Sequence, residues 1–574
     1  MYMCYNFVVM SNPSANSCNG SHEHIKEFPD VLQDVLCKRG ICGGQESQDF
    51  LNPDYSKLHD PFLFKDMHKA TERILQAIDR DEKIAIYSDF DADGIPGGII
   101  LKDFFERISY TNFINYIPHR NKEGYGFHKE AVEKLAKEDV NLVVTVDVGI
   151  SAVETVKRAK ELGIDVIITD HHEADQLPEA LAIINPKVSG ETYPFDGLCG
   201  AGVAFKLVQA LFAEGKKRLH HKISDIPDGW EKWLLDMVAI ATISDMVPLI
   251  DENRILVYWG LVVLQKSKRP GLGALLQHLR IPQKLLEEND VAFSITPKVN
   301  VASRLGDPAD AFNLFTAKTS NKAQKYILEL ERLNKSRQTE VAKITREVKK
   351  RLKAREVLGE VFLTGDKSWN PALLGLSAGK VADELGIVVC LWGQDESGVF
   401  KGSCRNGGSG HVAQLLQGAR EHLIEFGGHE GAGGFSVDFE KLLQLEEEFN
   451  KVYKTLSFTR QGNRILADAT LHPSNINWNF YKYLRMLGPF GMANRAPIFE
   501  FDLPEPLVAK TFGKNNEHIK ILIPINKNGK TAEAVAFFAK EDWKTNPVRK
   551  IFGSIEKNYF AGKLSLRIKI MDLQ

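Results

Sequence analysis

Three short apolar runs stand out in the first half of the chain: Ile84–Tyr87 within KIAIY, Leu142–Val146 (LVVTV) and Val166–Thr169 (VIIT). Each is almost continuously apolar rather than alternating. A strand of that kind is buried on both faces and belongs to a parallel sheet with helices on each side. Between the runs lie His128–Lys137 and Ala152–Leu162, long enough for crossover helices. From about 62 to 260 the pattern therefore predicts a doubly wound α/β domain.

From about 320 to 354 the period changes. Tyr326, Leu330, Leu333, Arg337, Val341, Ile344, Val348 and Leu352 recur at steps of three and four, with no Gly or Pro between them. This predicts one amphipathic helix of roughly 50 Å with Ser320 as its N-cap. The stripe is short and Arg337 interrupts it, which favours a helix bridging two domains over a coiled-coil dimer. Residues 358–458 return to mixed α/β text with glycine clusters at 406–410 (NGGSG) and 427–434 (GGHEGAGG). After about 460 come short strands and turns, among them His518–Ile523 and Leu564–Ile570, which suit a small β-barrel. The expected organisation is a disordered tail at 1–22, rich in Ser and Asn, and an α/β domain at 23–319. A connecting helix at 320–357, a smaller α/β domain at 358–458 and a barrel at 459–574 complete it.

Composition adds little to that picture, and charge adds more. With 574 residues, 43% hydrophobic and 26% charged, the chain reads as an ordinary multidomain globular protein, which excludes fibres and wholesale disorder. The formal charge of −2 hides an asymmetry: from Arg460 onward there are about 18 Lys and Arg against about 10 Asp and Glu. Basic strands interleaved with Phe512, Phe537, Phe538 and Tyr559 point to a nucleic-acid surface. Seven scattered cysteines with no CxxC pair argue against a disulfide framework or a zinc ribbon, and for a reducing cytoplasm. No apolar run is long enough to cross a bilayer, so no membrane association is expected.

All three apolar runs end in aspartate. The first leads into Asp89-Phe-Asp91-Ala-Asp93-Gly, the second into Asp147-Val-Gly, the third into Asp170-His171-His172. Ligands of open parallel sheets bind beyond the carboxyl ends of the strands, so Asp91, Asp93, Asp147 and His171 are expected in one crevice. Carboxylates so crowded repel one another unless a cation neutralises them. Carboxylates with imidazole and no thiolate suit Mn²⁺ or Mg²⁺, and this many ligands suits two ions. Two ions about 3.5–4 Å apart are the usual device for attack of water on a phosphoryl centre. A fifth ligand is expected at Asp245, which follows an apolar helix and precedes a turn. Asp236, nine residues earlier, reads as a mid-helix residue with a local role.

The three acidic motifs resemble those of the DHH phosphoesterase superfamily. Other segments narrow the resemblance to its RecJ family of bacterial single-strand-specific DNA exonucleases. They include Tyr116-Ile-Pro-His-Arg120, Leu198–Lys206, Asn300-Val-Ala-Ser-Arg304, Leu333-Asn-Lys-Ser-Arg337, Gly402-Ser403-Cys-Arg405, Gly427-Gly428-His429 and Pro489–Asn494. The matches run in order from about residue 28 to the end. The resemblance implies that Asp91, Asp93, Asp147, His171 and Asp245 hold two Mn²⁺ or Mg²⁺ ions, with Asp147 as a bridge. Asp89 and His172 complete the catalytic set, His172 touching the scissile phosphate. Arg120, Arg304, Ser403 and Arg405 are similar to residues that hold DNA phosphates, including the 5′-terminal one, and His429 adds a further phosphate contact.

The terminal barrel resembles the family's OB-fold. The implied activity is 5′→3′ digestion of single-stranded DNA to mononucleotides in repair and recombination. A monomer is expected to work with a helicase and a single-strand-binding protein. The chain departs from the family pattern at Ile95-Pro96-Gly97-Gly98, where Thr or Ser is usual near 96–97. It departs again at Val148, at Val301-Ala-Ser303 and at Trp369–Gly375, where a histidine-containing stretch is usual. Two alternatives stay open: a phosphodiesterase for short oligonucleotides or cyclic dinucleotides, and a catalytically silent single-strand-binding relative.

Overall fold

Ile84 and Ile86 turn into one apolar core while Ala85 and Tyr87, their neighbours on the same strand, turn into another. That two-sided burial makes the run Lys83–Ser88 (β1) an interior strand. A computed structural model of the chain describes residues 25–41, 43–120, 122–355, 359–408, 410–456, 465–514, 516–525, 531–560 and 562–574. The tail expected at 1–22 lies outside the described residues. So does part of each junction, at 356–358 and 457–464.

Strand β1 is flanked by β2 (Phe113–Tyr116) and β3 (Val140–Val146), followed by β4 (Asp165–Thr169) and β5 (Ala182–Ile184). The order is β2-β1-β3-β4-β5 and every pairing is parallel. Helices Lys129–Lys137 and Val153–Glu161 cover one face. Helices Met67–Asp79, Gly94–Arg107 and Gly200–Lys217 cover the other. The doubly wound α/β class is as the strand text predicts. Pro96 falls in the first turn of Gly94–Arg107, where a missing N–H removes no intrahelical hydrogen bond.

The connecting helix runs Ser320–Lys353. Thr319, not Ser320, is its N-cap: the Thr319 hydroxyl accepts from the Lys322 N–H, and Ser320 is already the first helical residue. Ala323, Ile327, Leu330 and Leu333 pack into the large core beneath the first sheet. Val341, Ile344 and Val348 enter a separate core with Leu373, Leu374 and Ala378 of helix Pro371–Leu385. One stripe thus serves two modules, and the polar Asn334 and Arg337 fall between its halves.

The second sheet joins β6 (Val361–Gly365), β7 (Val388–Gln394), β8 (Phe400–Asn406), β9 (Glu425–Gly428) and β10 (Ala432–Val437) in the order β6-β7-β8-β10-β9. Cys390 and Cys404 face each other across β7 and β8 and form a disulfide. The cysteine spacing gave no sign of it, because the register of an antiparallel pair is not written in local sequence.

The third sheet has the order β11-β12-β16-β17-β15-β14-β13. Its strands are β11 (Ala469–Thr470), β12 (Phe499–Leu507), β13 (Lys510–Phe512), β14 (His518–Pro524), β15 (Thr531–Ala536), β16 (Val548–Phe560) and β17 (Lys563–Leu573). Its core is shared with Ile25, Phe28, Leu32, Val35, Leu36 and Leu51. Residues 25–51, read from sequence with the first domain, therefore pack with the barrel. A short amphipathic helix such as Asp30–Lys38 shows which face is buried but not against what. Among the described residues no helix is long and apolar enough to cross a membrane.

Candidate active site

The ladder of the first sheet continues one step past three strands, and each extra step is an aspartate. Asp89 N donates to Val146 O (3.1 Å), Asp147 N to Thr169 O (2.9 Å) and Asp170 N to Ile184 O (3.1 Å). Three acidic residues far apart in sequence are thereby set at one level along one edge. Asp147 adopts φ +62°, a left-handed conformation that Asp tolerates better than most residues. A Cβ on Gly200 would lie 2.5 Å from Asp147 Cβ, so the start of helix Gly200–Lys217 approaches this turn more closely than a side chain allows. The first N–H groups of that helix clamp Asp93: Gly200 N donates to Oδ2 (2.6 Å) and Ala201 N to Oδ1 (2.7 Å).

The remaining groups converge on these. His171 Nε2 lies 3.2 Å from Asp147 Oδ1 and 3.7 Å from both Asp93 Oδ2 and Asp245 Oδ2. Three sets of donors each have their ligand atoms within 4.8 Å of one another: Asp89, Asp91 and Asp147; Asp147, His171 and His172; Asp93, His171 and Asp245. Asp147 and His171 each belong to two of the sets. A cavity of about 210 Å³ opens here, lined by Asp89, Asp91, Asp147, His172 and Asp245 together with Phe90, Arg120 and Tyr125. Asp245 ends the helix Leu235–Ser244, as its place after an apolar run suggested. Asp236 lies in that helix's first turn, not its middle, and is taken up by Arg269 at 2.6 Å.

The electrostatics are those of buried carboxylates crowded against one another. Burial and the neighbouring Asp91 push Asp93 up to about 6, and burial with Asp93 and Asp91 pushes Asp245 up to about 9. Asp89 and Asp147 rise well above the carboxylate range for the same two reasons. Asp89 Oδ1 and Asp147 Oδ1 are buried with no hydrogen-bond donor among the described residues. Burial and the adjacent His172 drive His171 down to about 3, which keeps it neutral as a ligand must be. Burial is the largest influence on His172 and works against its protonation, but the 2.8 Å bond to Asp170 together with the charges of Asp170, Asp93 and Asp91 outweighs it and raises the imidazole. Asp170 is fixed in turn by the N–H groups of Ile150, His171 and His172. Orphaned carboxylate oxygens beside a neutral imidazole fit a hard divalent cation.

Beyond the acids lies a group of arginines. Burial lowers Arg304 to about 10, and Arg120, Arg337 and Arg405 push it the same way. None of the four is ion-paired among the described residues, so their charge is left for an anion. Arg120 stands over the Phe90 ring at 5.2 Å. Arg304 is anchored by Ala372 O at 2.8 Å. Ser403 and Arg405 share one face of β8, and the guanidinium donates to the Ser403 hydroxyl at 3.0 Å. A Cβ on Gly375 would meet Arg405 Nη2 at 2.3 Å, so helix Pro371–Leu385 makes room for that guanidinium.

Asp89, Asp91, Asp93, Asp147, His171, His172 and Asp245 are thus brought together, with Arg120 on the same cavity and Arg304 and Arg405 beside it. His429 is exposed in the turn between β9 and β10, and its described contacts are main-chain hydrogen bonds to Ala432 and Ala413. Arg337 received no role from the sequence; its signal was a cation inside an apolar stripe. Gly375 and Asp170 were likewise passed over as site residues.

A sequence profile of the DHH family, N-terminal domain, matches residues 83–242, and a profile of the RecJ OB domain matches residues 467–572. The single-stranded-DNA-specific exonuclease RecJ of Bacillus subtilis (strain 168) is 34% identical over 86% of this chain, which spans 61% of that protein. The protein of the same name from Escherichia coli (strain K12) is 29% identical, over 95% of this chain and 96% of the other. The crystal structure of RecJ in complex with Mn²⁺ from Thermus thermophilus superposes with a TM-score of 0.78 at 25% identity. The match covers 96% of this chain and 76% of that one.

Proposed function

The chain belongs to the RecJ family, and from that premise we propose that it is a single-strand-specific DNA exonuclease. It removes mononucleotides in the 5′→3′ direction by two-metal phosphodiester hydrolysis. The observation that carries this reading is the meeting of two unsatisfied charge groups. A cage of crowded, buried carboxylates borders a set of arginines that make no ion pair among the described residues, and a metal-bound phosphate suits both.

Asp91, Asp93, Asp147, His171 and Asp245 would hold two Mn²⁺ or Mg²⁺ ions, with Asp89 beside them. Bound there, such ions supply an acidified water and neutralise charge on the phosphate oxygens. Asp170 favours the protonated form of His172 and fixes its ring at the cavity, where it would donate to a phosphate oxygen. Arg120, Arg304 and Arg337 hold backbone phosphates, and Ser403 with Arg405 holds the terminal one; planar guanidinium forks suit that task. The long helix joins the two modules, and in this reading the arginines contributed by both hold one strand between them. The basic barrel retains the strand behind the cleft, a part that a dinucleotide substrate would leave without use. The reading carries with it a monomer in the cytoplasm, supplied with strand by a helicase and a single-strand-binding protein.

Digestion of 5′-labelled and 3′-labelled single strands in Mn²⁺, Mg²⁺ or chelator tests this. The expected result is release of the 5′ label as a mononucleotide, silent in chelator. Asp147→Asn should slow release at least on the order of a hundredfold while strand binding persists. Attack from the 3′ end, activity in chelator, or a preference for dinucleotides would overturn the reading.

A further inference from the structure

One helical run joins the barrel to the cleft. It begins with the short turn Glu288–Asp290, widens into the π-helical turn Val291–Ile295 and continues as helix Thr296–Leu305. At the barrel end Glu288 holds Arg485 through two hydrogen bonds of 2.6 and 2.7 Å, and Glu287 holds Lys557 of β16 at 2.8 Å. At the cleft end Asn300 Oδ1 accepts from Ala92 N (3.0 Å), in the loop that carries Asp91 and Asp93. The Thr296 hydroxyl lies 2.6 Å from that of Ser244, the residue before Asp245. Arg304 stands in the last turn of the run.

The wide turn sits midway and controls one side chain. π-Helical turns are rare and recur at functional positions, because the extra residue re-aims the side chains beyond it. Here Val291 and Ile295 are buried, and Phe293 is left 46% exposed. The Thr296 hydroxyl donates to Val291 O (2.9 Å), which supports the widened ladder. Lys569 of β17 reaches across from the barrel, its ammonium 5.7 Å from the centre of the Phe293 ring. An exposed ring with a cation beside it is the pairing that takes a nucleotide, base on the ring and phosphate on the ammonium. The eleven steps from Phe293 to Arg304 cover roughly 16 Å, so a strand leaving the barrel meets the ring before the arginines.

We propose that Phe293 is a base-stacking platform that receives the single strand between the barrel and the arginine cleft. This rests on the nuclease reading and deepens it, placing a binding position outside the reacting centre. Lys569 is its phosphate partner, and the ring's grip is indifferent to which base it meets.

The test compares Phe293→Ala and Phe293→Trp in the full chain on 5′-phosphorylated oligothymidylates of two lengths. One of about four nucleotides fits within the cleft, and one of about thirty also covers the barrel. Phe293→Ala should raise KM for the long strand about tenfold with kcat unchanged and leave the short strand untouched. Phe293→Trp should behave as the parent. A long-strand KM within twofold of the parent, or equal losses on both lengths, would overturn the proposal. The first of these leaves the ring to a protein partner, and the second makes Phe293 a packing residue. Binding of the long strand in chelator, read by fluorescence anisotropy, registers the same contact even if the parent cuts neither strand. Failure of the nuclease reading and failure of this one are therefore seen apart.

Discussion

Asp245 sits at the carbonyl end of a helix, where the macrodipole already disfavours negative charge, and Asp93 and Asp91 disfavour it further. Its rise to about 9, and that of Asp93 to about 6, have a consequence for stability. A carboxyl whose folded pKa exceeds its unfolded value of about 4 stabilises the fold fully below pH 4 and loses that contribution as pH climbs through the folded value. In chelator, therefore, the thermal midpoint should fall by several degrees between pH 6 and pH 9. Mn²⁺ should restore it, and more at pH 8.5 than at pH 6, since the ion replaces protons that the alkaline protein has already lost. A chelated midpoint that is flat or rises over that range would show that the cage is not strained. The cage was legible in the sequence because each aspartate follows a run whose strand character is unmistakable. Arg337 was not, because its neighbour in space, Arg304, comes from a segment that only tertiary packing brings near.

At the scale of single elements, helix Pro371–Leu385 gives a sharp trial of the phosphate-end assignment. Its Gly375 faces Arg405 and Ser403 and occupies a helix interior, where glycine is less favourable than alanine by about 1 kcal/mol. Gly375→Ala should therefore leave the melt unchanged or raise it. The new methyl displaces the Arg405 guanidinium, the free end of a flexible side chain. KM should rise several-fold on 5′-phosphorylated strands and little on 5′-hydroxyl ones. A lowered melt with equal losses on both substrates would assign the glycine to packing instead. The same helix accounts for one departure from the family pattern: Trp369–Gly375 forms its entry, and Ala372 lends Arg304 a carbonyl. Elements with strong periodicity were readable almost to the residue, as the helix Ser320–Lys353 shows. Its cap moved by one position because Thr319 and Ser320 are chemically equivalent candidates.

For the molecule as a whole, the informative junction is the one that sequence order misplaces. Residues 25–51 precede the first sheet yet complete the core of the last one. Arg39 donates to Asn494 Oδ1 (3.1 Å) and Arg495 O (2.9 Å). Arg254, buried with its ring partner Phe50 at 3.7 Å, donates to Phe50 O and to Leu487 O (3.1 Å). Residues 25–51 thus fold together with the barrel, and Arg254 from the catalytic module occupies their joint. A fragment that keeps the start but drops the barrel, residues 1–456, would expose Ile25, Phe28, Leu32, Val35 and Leu36, each worth roughly 1.5–3 kcal/mol when buried. A fragment spanning 53–456 leaves that face behind with the barrel and keeps every acid and arginine of the site. Purified side by side, 1–456 should aggregate or lose its first 50 residues to light proteolysis, whereas 53–456 should stay monodisperse by gel filtration. The shorter piece should cut a 5′-phosphorylated oligonucleotide of about four residues at a rate close to the full chain's and fall behind on long strands, where the barrel contributes. Equal behaviour of the two fragments would mean that the N-terminal helices hold to the catalytic module without the barrel.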